Sequence, residues 1–267
     1  MFNTLRKAKR SIVHHCGQAR RIACSIRNKW HYQSIRDKYR GSRAFVIGNG
    51  PSLQIDDLDK LSGEVSLASN KIYLAFEKTL WRPTYFTIAD PLVWQKTKNE
   101  IRHHFNEVHI EDTDLLPRNG DLGITVRSWK GLGPTTTPYA EPPVFSGDLS
   151  QGAYGGYTVT YLNLQLAVHL GCDPIYLIGC DHYYQGEEPL PANSKVSHQK
   201  QNHFIEGYRS PGEIVFNAPI PNMTAAYQHA KAYADEKGIR IENATRGGHL
   251  EIFDRTDFDS LFQPDSS

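Results

Sequence analysis

The 267-residue chain is 39% hydrophobic and 22% charged, which excludes a disordered or fibrous polypeptide and fits one large domain or two small ones. No run of about 18 apolar residues occurs, which excludes a transmembrane helix, and the basic N-terminus lacks the apolar core of a secretion signal. The net charge of +1 hides an asymmetry: residues 1–43 carry 12 Lys/Arg and one acid, the remainder 18 basic and 28 acidic residues.

Residues 1–42 read as a basic helical arm. Phe2, Leu5, Ile12, Cys16, Ala19, Ala23, Ile26 and Trp30 fall on one helical stripe, and Lys7, Arg10, Arg20, Arg21, Arg27 and Lys29 crowd the other faces. That pattern suits a helix lying on an anionic membrane, through residues 1–40; packing on its own domain or a homo-oligomer contact is the competing role. Base-stacking aromatics are too sparse for nucleic acid. The implied location is cytoplasmic, peripheral at the inner face of the plasma membrane.

From Arg43 to residue 262 strands and helices alternate, ahead of a short tail over 263–267. Ala44–Ile47, Val65–Ala68, Tyr85–Ile88, Val108–Ile110, Pro174–Ile178 and Ile239–Glu242 read as strands. Ile72–Lys78, Pro91 to His104, Gly156–Leu170 and Met223–Lys237 read as helices, the third with Val159, Leu162, Leu166 and Leu170 on one apolar face. The pattern predicts an α/β, Rossmann-like fold: an open, mostly parallel sheet with helices on both faces. Residues 115–150 show no period. Residues 182–222, polar and rich in His and Tyr, read as a lid.

The polar residues are placed tellingly. The turn Gly48-Asn49-Gly50-Pro51-Ser52, then Asn70, Asp90 and Asp181, each follow a predicted strand, and in a parallel sheet such positions converge on one crevice. The glycine turn suits a phosphate, though it is neither the dinucleotide fingerprint nor a Walker loop. Asp90 and Asp181 suit a metal, a ribose or a helix cap. Gly155 and Gly156 open a helix, either for a ligand or for close packing. His198 and His203, on the lid, are placed to take a proton from a hydroxyl. The four cysteines form no CxxC pair, and no resident metal site is expected.

Val46-Ile47-Gly48-Asn49-Gly50-Pro51-Ser52-Leu53, Ser69-Asn70, Tyr154-Gly155-Gly156 and Ile175-Tyr176-Leu177-Ile178-Gly179-Cys180-Asp181-His182-Tyr183 resemble bacterial CMP-sialic-acid sialyltransferases. The same skeleton is similar to flagellin glycosyltransferases of the motility accessory factor type and to archaeal 6-hydroxymethylpterin diphosphokinases. The first resemblance implies that Gly48, Asn49, Gly50, Ser52 and Asn70 hold CMP, Tyr183 holds its phosphate, and a lid histidine is the base. It implies a metal-independent glycosyltransferase that takes a nucleotide-sugar donor and a glycan or lipid-linked acceptor. Asp90 stands where that family has a second asparagine, and Tyr208 falls near its base, so either His203 takes over or the chain is not a sialyltransferase in the strict sense. The pterin enzymes instead imply ATP and Mg²⁺. A non-catalytic adaptor that kept the nucleotide fold is the third reading.

Overall fold

Short runs of β-branched and aromatic residues between turn residues form the strands. The computed structural model describes residues 24–111, 123–134, 144–184, 195–197, 202–210, 212–216 and 218–263. From the middle of the main sheet, β1 (Ala44–Ile47), β2 (Val65–Ser69), β3 (Tyr85–Ile88), β4 (Glu107–Glu111) and β5 (Thr125–Trp129) run outward in chain order. β6 (Gly131–Pro134) and β7 (Ala153–Gly155) form a separate pair. The chain then returns to place β8 (Ile175–Ile178) on the other side of β1. β9 (Lys195–Ser197) and β10 (Ile214–Phe216) form an antiparallel hairpin, and β11 (Ile241–Asn243) and β12 (Asp254–Arg255) complete the main sheet beyond β8. Every ladder of that eight-stranded sheet is parallel, so the mostly parallel sheet read from the sequence is wholly parallel among the described residues.

The strand alternation builds two cores. Ala44 and Val46 face a layer formed by α1 (residues 24–35), α4 (Val159–His169) and α5 (Ile220–Lys237). Phe45 and Ile47 face α2 (Ile55–Lys60), α3 (Pro91–His104) and the C-terminal Phe258. Helices thus cover both faces, as expected. The helix expected over Ile72–Lys78 is only a 3₁₀ turn at Ile72–Ala75.

Three features depart from the sequence pattern. β5, β6 and β7 lie in and beside the stretch read as aperiodic. In β5, an edge strand, Arg127 and Ser128 mask the apolar signal of Val126 and Trp129. α4 starts at Val159, because Tyr157 has a left-handed backbone (φ 58°) and Thr158 caps the helix. It is also buried from Thr160 to His169, on all its faces, because β7, α5 and the sheet enclose it.

The third departure concerns the arm. Residues 1–23 lie outside the described residues. In α1, Asn28, Tyr32 and Ile35 are buried against the domain, while the stripe members Ile26 (54% exposed) and Trp30 (70%) point the opposite way. Asn28 Nδ2 donates to Ser128 Oγ at 2.7 Å. The Leu149 amide donates to His169 Nδ1, so His169 Nε2–H donates to the Tyr32 carbonyl at 2.8 Å. α1 is therefore packed into the domain through one face and leaves the apolar stripe on the other. No helix among the described residues is long and apolar enough to cross a membrane.

The C-terminal segment closes the second core with an ion pair. Arg246 holds the buried Asp57 of α2 through both guanidinium Nη atoms, and its Nη2 also reaches Asp259 at 2.9 Å. Arg246→Ala strands the Asp57 carboxylate. Because Arg246 itself is one-third exposed, the expected loss is about 2 kcal/mol, below the ~3–5 kcal/mol of a fully buried pair. Urea unfolding at neutral pH measures it; an unchanged midpoint would show that water replaces the arginine.

Candidate active site

The chain reverses its direction of travel across the sheet at β1, and the crevice above β1 and β8 is where a parallel sheet binds ligands. The turn after β1 is pressed onto the turn after β8: Gly48 N–H donates to Ile178 O at 2.8 Å and Gly50 N–H to Gly179 O at 2.9 Å. A Cβ at Gly48 would collide with the Gly179 carbonyl oxygen, and one at Gly50 with the Asp181 carboxylate. The fold therefore requires both glycines for this close approach.

A cavity of about 490 Å³ opens over these turns, a size suited to a nucleotide-scale ligand. It brings together Gly48, Asn49, Gly50, Asn70, Asp90, Gly155, Gly156, Asp181, Tyr183 and His203 from six separated segments. Ser52 does not line it. Its hydroxyl donates to Asp181 Oδ2 at 2.8 Å, which makes it a support for Asp181. Burial raises the Asp181 carboxyl above the ordinary aspartate range, against the pull of the Ser52 hydrogen bonds. Asp90 does cap α3, accepting from the Leu92 amide at 2.7 Å, while also facing the cavity. At Gly156 a side chain would strike Tyr161, so packing explains that glycine. At Gly155 a Cβ would meet only the Gly133 carbonyl oxygen, at 4.0 Å, so packing does not. His198 lies outside the described residues.

Residues 202–210 and 212–216 of the segment read as a lid contribute to the cavity wall and are tied down by charge. Phe204 N–H donates to the Asn49 carbonyl at 3.1 Å. Glu213 gathers Lys96 (3.1 Å), Arg209 (3.5 Å) and Lys71 (3.7 Å). Burial pushes its carboxyl up, but these partners and the Ser210 amide outweigh that and hold it at about 2. The His203 ring lies flat on Tyr208, with centroids 3.9 Å apart and planes at 8°. Tyr208 is buried, and its hydroxyl accepts from the Lys71 amide at 3.4 Å.

Two signals mark the cavity as more than a packing defect. Four non-glycine residues among those described have left-handed backbones, and three of them, Asn70, Tyr157 and His182, line it. Such conformations cost ~1–3 kcal/mol each and gather at functional sites. The second signal is unpaired polarity. Asn49 Oδ1, Asn70 Oδ1 and Arg209 Nε are buried with no hydrogen-bond partner among the described residues. Sequence reasoning missed Arg209 and Tyr157. An arginine directly after Tyr208, in a segment already read as a lid, was an available sign of an anion contact.

A family model described as 6-hydroxymethylpterin diphosphokinase MptE-like matches residues 22–187. No curated protein and no solved structure matches the chain. The matched span holds the glycine turn, Asn70, Asp90, Gly155 and Asp181, and stops before His203, Tyr208 and Arg209. With more than half its length in that match, and the parallel sheet and shared crevice to go with it, the chain belongs to the 6-hydroxymethylpterin diphosphokinase MptE-like family.

Proposed function

We propose that the cavity binds a nucleotide-activated sugar, CMP-linked, and transfers its glycosyl group to an acceptor hydroxyl. The observation that carries this reading is the set of unpaired groups. Asn49 and Asn70 offer buried acceptors to the hydroxyl and amine donors of a nucleoside, and Arg209 Nε offers a buried donor to a phosphate. Each unmet group costs ~1–3 kcal/mol until a ligand pairs it. In the reaction His203 removes the acceptor hydroxyl proton as the oxygen attacks the anomeric carbon. The bond from that carbon to the phosphate oxygen breaks, and CMP leaves with the electron pair, its charge met by Arg209 and Tyr183. The exposed stripe of α1, with Arg27 and Lys29 beside it, would hold the enzyme on an anionic membrane carrying a glycan or lipid-linked acceptor.

The family description favours a second reading, diphosphoryl transfer from ATP. Mg²⁺ is commonly held by one or two carboxylates plus phosphate oxygens, and Asp90 and Asp181 at the strand ends fit that role. When bound, the ion would offset phosphate charge, and Arg209 would orient the phosphate chain.

A thermal-shift series separates the readings. CMP alone is expected to raise Tm by roughly 5–10 °C at 100-fold excess over Kd, from ~2.7 kcal/mol of linkage. A response confined to ATP with Mg²⁺ gives the cavity to the second reading. Silence towards CMP, CDP, ATP and ATP with Mg²⁺ leaves a non-catalytic adaptor. For the membrane role, the truncation to test is residues 1–23, because α1 carries part of the core. Sedimentation with anionic liposomes is expected to be lost on that truncation combined with Ile26→Ser and Trp30→Ser; persistence removes the membrane role.

A further inference from the structure

On β4, whose last residue Glu111 lines the cavity, Glu107 and His109 lie four and two residues earlier and meet a third metal-ligating side chain. Glu107 and His109, two residues apart, share a face of the sheet, and His31 comes down on them from α1. His109 Nε2 lies 3.2 Å from Glu107 Oε1, and His31 Nε2 lies 3.8 Å from the same oxygen. All three donor atoms are within 4.8 Å of one another. A tetrahedral ion with bonds of ~2.0–2.1 Å sets its ligands about 3.3 Å apart, so small side-chain adjustments would close the group around it. We infer that His31, Glu107 and His109 form a binding site for a divalent first-row transition-metal ion, best matched by Zn²⁺, that fastens α1 to the sheet.

The surroundings are those of a ligand set. His31 Nε2 is buried and has no hydrogen-bond partner among the described residues, and at 3.8 Å it is too far from Glu107 to make one. His109 Nε2 and Glu107 Oε1 share a proton across 3.2 Å, and an ion binding between them would displace it. The outer contacts also suit. Arg127 Nε donates to Glu107 Oε2 at 2.8 Å, which leaves Oε1 turned to the histidines. His109 Nδ1 faces the buried Tyr32 hydroxyl at 3.0 Å, the kind of partner that orients a metal-bound imidazole. Imidazole nitrogens with one carboxylate favour Zn²⁺ and its neighbours over Mg²⁺ or Ca²⁺. His31 and Glu107 remain 15% and 33% exposed, which gives the ion a path from solvent and a place for a water as fourth ligand.

The test uses the full chain, stripped with a chelator and titrated calorimetrically with Zn²⁺. One ion per chain is expected, with a rise in Tm. His31→Ala, at a helical position where alanine is well tolerated, and Glu107→Gln are each expected to weaken Zn²⁺ binding at least ~100-fold. The Tm response to CMP should stay unchanged in both, which separates this site from the cavity. Co²⁺ added to the wild-type chain should give the intense visible bands of tetrahedral coordination. Absence of stoichiometric Zn²⁺ binding, absence of those Co²⁺ bands, or binding that survives both substitutions would overturn the proposal, leaving a metal-free ion-pair cluster.

Discussion

His203→Ala is expected to cut glycosyl turnover at least ~100-fold while leaving the CMP-induced rise in Tm nearly intact. The split follows from where the residue sits. His203 lines the cavity from the lid, and its ring is held flat on Tyr208. Tyr208 cannot itself serve as the base. It is buried, and burial pushes its hydroxyl up to about 12, so at neutral pH it keeps its proton. The loss should be largest in kcat, because the proton is taken only as the acceptor reacts. A histidine base works in its neutral form, so the wild-type rate should fall on the acid side of a histidine titration, and the residual rate of the variant should lose that limb. His182 is the built-in comparison. The Thr224 hydroxyl donates to the Ile220 carbonyl, so His182 Nε2–H donates to Thr224 Oγ1 at 2.7 Å and Nδ1 carries the lone pair. Burial lowers its imidazole below the usual histidine range, so it too is neutral. Unchanged turnover in His203→Ala would remove that residue from the mechanism and pass the role to His182.

The parts of the molecule legible from sequence are those where backbone geometry leaves a mark. Apolar tetrads such as Ala44–Ile47 and Ile175–Ile178 are buried on both faces, as parallel strands must be, and each ends in polar residues at the crevice. Given parallel strands, the meeting of Asn49, Asn70, Asp90 and Asp181 followed. What stayed hidden needed three dimensions. β5 alternates, but its Arg127 pairs with Glu107 across the sheet, so a polar residue occupies a structured position. α1 buries Asn28 and Tyr32 because Ser128 and His109 wait for them, and no periodicity in the helix reports that. His31 and Glu107 are far apart in the chain, so no ligand spacing announces their meeting. Ser52, read as a ligand contact, bonds Asp181 instead. The tight turn and the buried carboxylate need each other before any ligand arrives.

Gln165→Leu is expected to be the most destabilising single change considered, at about 4 kcal/mol or roughly 10 °C in Tm. Its side chain is fully buried in α4 and has no polar role unless the fold supplies one. The fold supplies four. Oε1 accepts from the Ser146 and Tyr154 amides, both at 3.0 Å, and Nε2 donates to the Tyr154 carbonyl at 2.8 Å and the Tyr161 carbonyl at 3.3 Å. Leucine fills similar space and removes all four bonds. Ser146 N–H, Tyr154 N–H and the Tyr154 carbonyl then lose these partners in the interior, at ~1–3 kcal/mol each. Gln165→Glu keeps the acceptor and can donate to the Tyr154 carbonyl only when its buried carboxyl is protonated, so its rescue should be partial and should grow as pH falls. The effect reaches the cavity because Tyr154 leads directly into Gly155 and Gly156. Below the variant's Tm, affinity for CMP should fall even though no residue lining the cavity has changed. A loss under 1 kcal/mol in urea unfolding, with CMP affinity intact, would mean that the β7 wall is held by its pairing with β6 and that Gln165 merely occupies the space it is given.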